Sequence, residues 1–190
     1  MRNILYQIII MTTILLLSTS ITAGSSLMSS KYILSALTVE NGLPNNFIDD
    51  ISKDKKGFLW ISTQGGGVCR YDGYEFVHFN VNSTPISLKS NFIKKTCEDN
   101  FNRLWIASSQ GIDVINLRTM EIFDSQKFND RNKQLSGVIA SSILKDQEGN
   151  IWLLCSKEII MIDFTSDGSI NNIYRTNSKN KDSHTFTTIN

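Results

Sequence analysis

After one long apolar run at its start, the chain keeps its apolar residues in short stretches cut by Gly, Asn, Asp and Ser. Short apolar runs bounded by turn formers read as strands, and no later segment sustains the 3.6-residue period of an amphipathic helix. The pattern predicts strands near residues 47–53, 58–63, 67–72 and 75–79, with equivalents further along. It predicts an all-β fold with no helix after the first residues.

The strands recur as a unit. Trp60, Trp105 and Trp152 stand in Leu59-Trp60-Ile61, Leu104-Trp105-Ile106 and Ile151-Trp152-Leu153, spaced 45 and 47 residues apart. Asp54, Asp99 and Asp146 precede their Trp by six residues, and Gly57, Asn102 and Gly149 precede it by three. Ile51, Thr96 and Ile143 stand nine before, and Ile48, Ile93 and Ala140 twelve before. Downstream, Gly67-Val68-Cys69-Arg70-Tyr71-Asp72 matches Gly111-Ile112-Asp113-Val114-Ile115-Asn116. The third copy, from Glu158, loses the Gly, and the first has one extra residue in its Gly65-Gly66-Gly67 loop. A last strand follows in each, least clearly at residues 170–174.

A period of about 40–50 residues holding four short strands is that of a β-propeller blade. One such sheet cannot bury both faces alone, so blades stack around an axis. The Trp strand supplies the bulk between them. A Trp buries ~150–250 Å², which at ~25 cal/mol/Å² is about 4–6 kcal/mol. The expected architecture is a partial β-propeller of three four-stranded blades at residues 32–80, 86–124 and 135–175. Residues 176–190 are a polar tail or the start of a fourth blade, since Phe186-Thr187-Thr188-Ile189 has the spacing of residues 48–51. An unclosed stack leaves an apolar face and strand edges open, so self-association is expected.

The Asp-x-x-Gly-x-x-Trp element has two readings. Asp accepts bonds from backbone N–H groups just ahead and closes a turn, and Gly or Asn three residues on tolerates positive φ. Asp54, Asp99 and Asp146 then close hairpins before each Trp strand. A calcium site is the sharper reading, but Asp146, Glu148 and Asn150 supply too few oxygens.

Composition narrows the partners. Of 190 residues 41% are hydrophobic and 19% charged, and the net charge is +1. That is a globular balance without the basic footprint of a nucleic-acid or anionic-membrane binder. Residues 1–3 are positively charged, residues 4–17 mostly apolar, and residues 18–26 small and polar. This is the pattern of a secretory signal peptide, with cleavage after Ala23 or Ser20, or of an uncleaved anchor. No other stretch is apolar enough to cross a bilayer. Cys69, Cys97 and Cys155 have no metal spacing and read as small buried hydrophobes.

No catalytic set assembles. Asp49-Asp50, Glu98-Asp99 and Asp146-Glu148 lie in or beside expected turns and read as solvated surface rather than as a glycosidase pair. His78 reads as an outward position on a strand, and His184 lies in the polar tail. The triple-Gly loop has no Lys and opens no helix, so it is no phosphate loop. No catalytic residue, metal or cofactor is expected.

Leu43-Pro44-Asn45-Asn46-Phe47-Ile48, Asp54 to Gly57, Leu59-Trp60-Ile61-Ser62-Thr63, Gly66-Gly67-Val68 and Tyr71-Asp72-Gly73 resemble the two-component regulator propeller repeat. The resemblance covers about residues 32–175 and is strongest in the first copy. It implies the periplasmic sensor region of a hybrid two-component histidine kinase, with multi-bladed propellers ahead of a β-sandwich, a membrane helix and a kinase. Many such sensors respond to oligosaccharides, so a sugar and the rest of the sensor are the implied partners. The resemblance also implies truncation before the membrane helix and kinase, which places any phosphotransfer outside this chain. Ser52-x-Asp54-x-x-Gly57-x-x-Trp60 more weakly resembles the Asp-box of sialidase propellers, a structural hairpin. The alternatives are an exported interaction scaffold and an exported glycosidase or lyase. Ligand contacts do not follow from the repeat, because propeller ligands sit on loops and axis-facing positions drawn from all blades.

Overall fold

The computed structural model describes residues 35–123 and 135–176, and the backbone of residues 186–188. The expected signal segment at residues 1–23 and most of the 176–190 tail lie outside the described residues. The described strands belong to one compact unit, Leu37–Asn190.

They form three antiparallel sheets in sequence order. The first is β1 (Ile48–Lys53), β2 (Leu59–Thr63), β3 (Gly67–Tyr71) and β4 (Phe76–Phe79). The second is β5 (Ile93–Glu98), β6 (Arg103–Ser108), β7 (Gly111–Asn116) and β8 (Glu121–Ile122). The third is β9 (Ala140–Lys145), β10 (Ile151–Cys155), β11 (Ile159–Phe164) and β12 (Ile170–Thr176). This is the all-β arrangement of three four-stranded blades that the repeat predicts. β1, β5 and β9 pack side by side as the inner strands, and each sheet runs outward from them.

Two local features differ from the sequence reading. Val39–Asn41 is a 3-10 turn, where no helix is expected. The Asn41 side chain accepts from the Thr38 N–H at 3.0 Å, and Gly42 ends the turn at φ 107°. Residues 186–188, expected as tail or as the opening of a fourth blade, form β13 (Phe186–Thr188). β13 pairs with the outer edge of β12 through Tyr174↔Thr188 and Thr176↔Phe186, so the third sheet has five strands. An open edge offers unpaired N–H and C=O groups, which is what β13 occupies.

The core lies between blades. Trp60 is fully buried among Ile93, Leu104, Ile106, Ile115 and Leu117 of the second sheet. Trp105 is fully buried among Ile143, Ile151, Leu153, Ile160 and Ile162 of the third. Each blade therefore gives its Trp to the next. Trp152, on the third blade, is only partly buried. A smaller cluster of Leu43, Ile61 and Cys69, flanked by Leu59, Tyr71 and Phe76, packs on the first blade.

Candidate functional site

The repeat residues come together as three separate hairpins. Asp54 Oδ1 accepts from the N–H groups of Lys56 and Phe58, and its Oδ2 from the Trp60 indole at 2.9 Å. Asp99 Oδ1 accepts from Phe101 and Arg103 N–H, and its Oδ2 from the Trp105 indole at 2.9 Å. Asp146 accepts from Asn150 N–H and from the Trp152 indole at 2.7 Å. Burial pushes the Asp146 carboxyl up, but the bonds from Trp152, Asn150 and Gly149 together hold it below the usual range. Gly57, Asn102 and Gly149 take φ of 95°, 58° and 94°, the left-handed turn the sequence requires there. The indole bond was not legible in the sequence, because an Asx turn alone accounts for the spacing.

The reading of the paired carboxylates as solvated surface is corrected at Asp99, which is fully buried, while Asp49 and Glu148 are exposed. Asp54, expected to close its hairpin, is nearly as buried as Asp99, because each is saturated with donors from its own hairpin. Asp49 and Asp50 lie on β1 and pair with Lys94 at 3.3 Å and Lys95 at 2.7 Å on β5. Among the described residues no group of three or more His, Cys, Asp or Glu gathers as a metal site. His78 is exposed on the outer strand β4, with Nε2 2.7 Å from the Gly42 carbonyl oxygen. Cys69 is buried, which pushes its thiol up to about 12. Cys97 and Cys155 are half-buried, and all three cysteines are free.

The hairpins lie where the inner strands end. The opposite end, where those strands begin, is a rim of loops. Phe47, Phe92 and Ile139 immediately precede β1, β5 and β9, at the same repeat position. Their exposures are 70%, 55% and 55%, large for apolar side chains standing in a row. Backbone bonds hold the first two of these residues in place. Gln64 N–H donates to the Phe47 carbonyl and Ser109 N–H to the Phe92 carbonyl, both at 3.0 Å. Phe92 lies beside Gly65, its ring 3.7 Å from where a Cβ would stand.

Just inside the rim each inner strand carries a β-bulge. The ladder skips one residue between Ile48 and Asp50 and between Ile93 and Lys95, and β9 slips between Ala140 and Ser142. A bulge re-aims its extra residue, and here those residues are Asp49, Lys94 and Ser141. Asp49 accepts from Gln64 Nε2 at 2.7 Å as well as pairing with Lys94. At the same end of the third blade, Ser136 to Ile139, Cys155 to Glu158 and Arg175 line a cleft of about 310 Å³. Arg175 and Glu158 pair across it at 2.6 Å. Single bulges leave no mark in one sequence, and an exposed Phe before a strand reads as an ordinary apolar residue.

Residues 42–65 match the family model described as two component regulator propeller. No curated protein matches the chain. Among solved structures, the extracellular domain of a hybrid two component system of B. thetaiotaomicron, BT3049, is 18% identical with a TM-score of 0.52. The match covers 82% of this chain and 31% of that one. The corresponding domain of BT4673 from B. thetaiotaomicron is 22% identical over 77% of this chain and 25% of that one, with a TM-score of 0.48. Virginiamycin B lyase from Staphylococcus aureus is 16% identical over 78% of this chain and 57% of that one, with a TM-score of 0.47. This chain thus spans less than a third of the length of the two extracellular domains. Among the described residues no helix is long and apolar enough to cross a membrane. The matched segment runs from Gly42, just past the 3-10 turn, through β1 and β2 to Gly65, so the first half of the first blade matches the two component regulator propeller repeat.

Proposed function

We propose that this chain is a non-catalytic, ligand-sensing propeller region of an exported two-component sensor, and that it binds an oligosaccharide at the loop rim. The observation that carries the reading is the exposed row of Phe47, Phe92 and Ile139 beside Gln64, Asp49 and Lys94. A pyranose has an apolar C–H face and a girdle of hydroxyls. An exposed aromatic ring suits the face, and amide and ion-paired groups suit the hydroxyls. The cleft beside Arg175 has the size of a small-ligand site. The hairpin carboxylates are saturated with hydrogen bonds, which favours binding over acid–base chemistry. The leader pattern of the first residues and the repeat support a periplasmic location, and signalling belongs to the rest of the sensor.

The test is retention of the purified chain on an immobilised panel of neutral and acidic oligosaccharides. Wild type is expected to bind at least one. Phe92→Ala should bind about tenfold more weakly, the ~1.4 kcal/mol of one stacking contact, with an unchanged circular dichroism spectrum. Retention on no sugar, or retention untouched by both Phe92→Ala and Phe47→Ala, refutes the reading.

A further inference from the structure

The connector between β4 and β5 delivers Phe92 to the rim, and its last residues are each held from outside. Lys89 N–H donates to Asp113 Oδ2 at 2.9 Å, and its Nζ donates to the Ile112 carbonyl. The hydroxyls of Ser90 and Ser109 lie 2.9 Å apart, and Ser90 Oγ accepts from Phe92 N–H at 3.0 Å. The Asn91 carbonyl accepts from Gly65 N–H at 3.0 Å and from Gly67 N–H at 2.9 Å. The first blade thus grips the connector at Asn91, and the second grips it at Lys89, Ser90 and Phe92.

One member of this set breaks the pattern of the repeat. Asp113 stands on β7 opposite Ile106, on the face turned towards the first blade. The same position holds Cys69 in the first blade and Ile160 in the third, both fully buried. Asp113 is buried as well. A carboxylate where the repeat places an apolar side chain costs stability, because burial penalises its charge. That penalty lifts the Asp113 carboxyl above its usual range against the bonds from Lys89. Local rules are broken at such a cost where a site needs the exception. Here the exception holds the main chain three residues before Phe92.

Building on the rim as the ligand site, we infer that Asp113 is its positioning residue: the ionised carboxylate fixes Lys89 and with it the stance of Phe92, so ligand affinity rises with pH as Asp113 ionises. A neutral carboxyl accepts the Lys89 N–H less strongly and removes the counter-charge that lies 3.7 Å from Lys89 Nζ. A ligand that needs Phe92 in place favours the ionised form, and its binding expels the proton. The charges around Asp113 leave Lys89 as its partner. The connector holds no other titratable residue. Ile106 and Thr96 continue the row of Asp113 across the sheet without charge. Arg70 of β3 reaches Met120 Sδ at 3.7 Å, beyond the end of β7 away from the rim. On the inner strands Lys94 and Lys95 pair with Asp49 and Asp50.

Fluorine NMR of the full chain carrying 4-fluorophenylalanine tests this without a ligand. The Phe92 signal, identified by its loss in Phe92→Leu, is expected to titrate between pH 4 and pH 8. Asp113→Asn keeps the shape and should fix that signal near its wild-type low-pH position. Lys89→Met, at an exposed side chain, removes the ammonium and makes ionising Asp113 harder, so the midpoint should move to higher pH. A signal that does not titrate, or that titrates as in wild type in both variants, overturns the inference. On a retained oligosaccharide, wild-type affinity should fall about fivefold on acidification through that midpoint, the low end of couplings between sites. An unchanged wild-type affinity, or a fall that persists in Asp113→Asn, also overturns it. Retention of no sugar refutes the rim as a sugar site, and the fluorine titration alone then decides the role of Asp113.

Discussion

Replacing Asp99 by Ala tests whether the hairpin carboxylate also fastens one blade to the next. Asp99 is fully buried and accepts from two backbone N–H groups, the Arg103 Nε and the Trp105 indole. Arg103 is itself buried and reaches the third blade, where its Nη1 donates to the Gly168 carbonyl at 2.6 Å. Its guanidinium lies over the rings of Phe101 at 5.0 Å, Phe123 at 5.3 Å and Phe164 at 4.8 Å. Removing one member of a buried ion pair costs about 3–5 kcal/mol, and taking the acceptor from a buried donor costs ~1–3 kcal/mol. Asp99→Ala should therefore lose roughly 4–6 kcal/mol, a large part of the ~5–15 kcal/mol that holds a domain together. Asp54 has the same hairpin and indole bonds, but Phe58 stands where Arg103 does. Asp54→Ala should lose only about 2–3 kcal/mol. Urea unfolding followed by far-ultraviolet circular dichroism measures both, with the slope checked for two-state behaviour. Asp99→Ala combined with Arg103→Met should be more stable than Asp99→Ala alone, because the buried charge leaves with its partner. Should Asp99→Ala not fold, Asp99→Asn, which keeps the shape and loses the charge, still has to fall between wild type and Asp54→Ala or below. Equal losses at Asp54 and Asp99, with no rescue by Arg103→Met, would refute the fastening role.

Gly67→Ala should cost about 2–4 kcal/mol, because φ is 86° and a Cβ would stand 2.2 Å from the Phe79 carbonyl oxygen; a thermal midpoint within 2 °C of wild type would contradict this. Asp113 is buried, and desolvation lifts its carboxyl above the usual range despite the bonds from Lys89. Its folded pKa then exceeds its unfolded one, so its contribution favours folding at low pH and is lost as pH rises through the folded value. Asp113→Asn should flatten that fall in urea midpoints measured from pH 4 to pH 7, and an unchanged slope would show that Asp113 does not set it.

Much of the architecture was legible in one sequence. The spacing of Trp60, Trp105 and Trp152 places three blades, and the strands of the first begin and end within one residue of expectation. The left-handed turn at Gly57, Asn102 and Gly149 was legible because few residues other than Gly and Asn tolerate it. The rim was not. Phe47, Phe92 and Ile139 are apolar residues before strands, where burial is the default reading. Their exposure depends on loops from two neighbouring blades, and pattern along a single strand says nothing about loops.

The sequence by itself determined what repeats: strand periodicity, turn chemistry and the Trp that each unit must bury. These are local or periodic properties, so short-range rules read them. Tertiary structure decided what each unit meets. Trp105 is fully buried and Trp152 partly buried in the same motif, because burial depends on what packs over each face. Asp99 is an inter-blade fastening and Asp54 is not, because a neighbour four residues on reaches across to Gly168. The same holds for Asp49, which is a turn-side carboxylate by sequence and a bulge residue paired with Lys94 in the fold. Contacts made across 45 residues of chain carry no signal in the residues between them, and only the stacking of sheets reveals them.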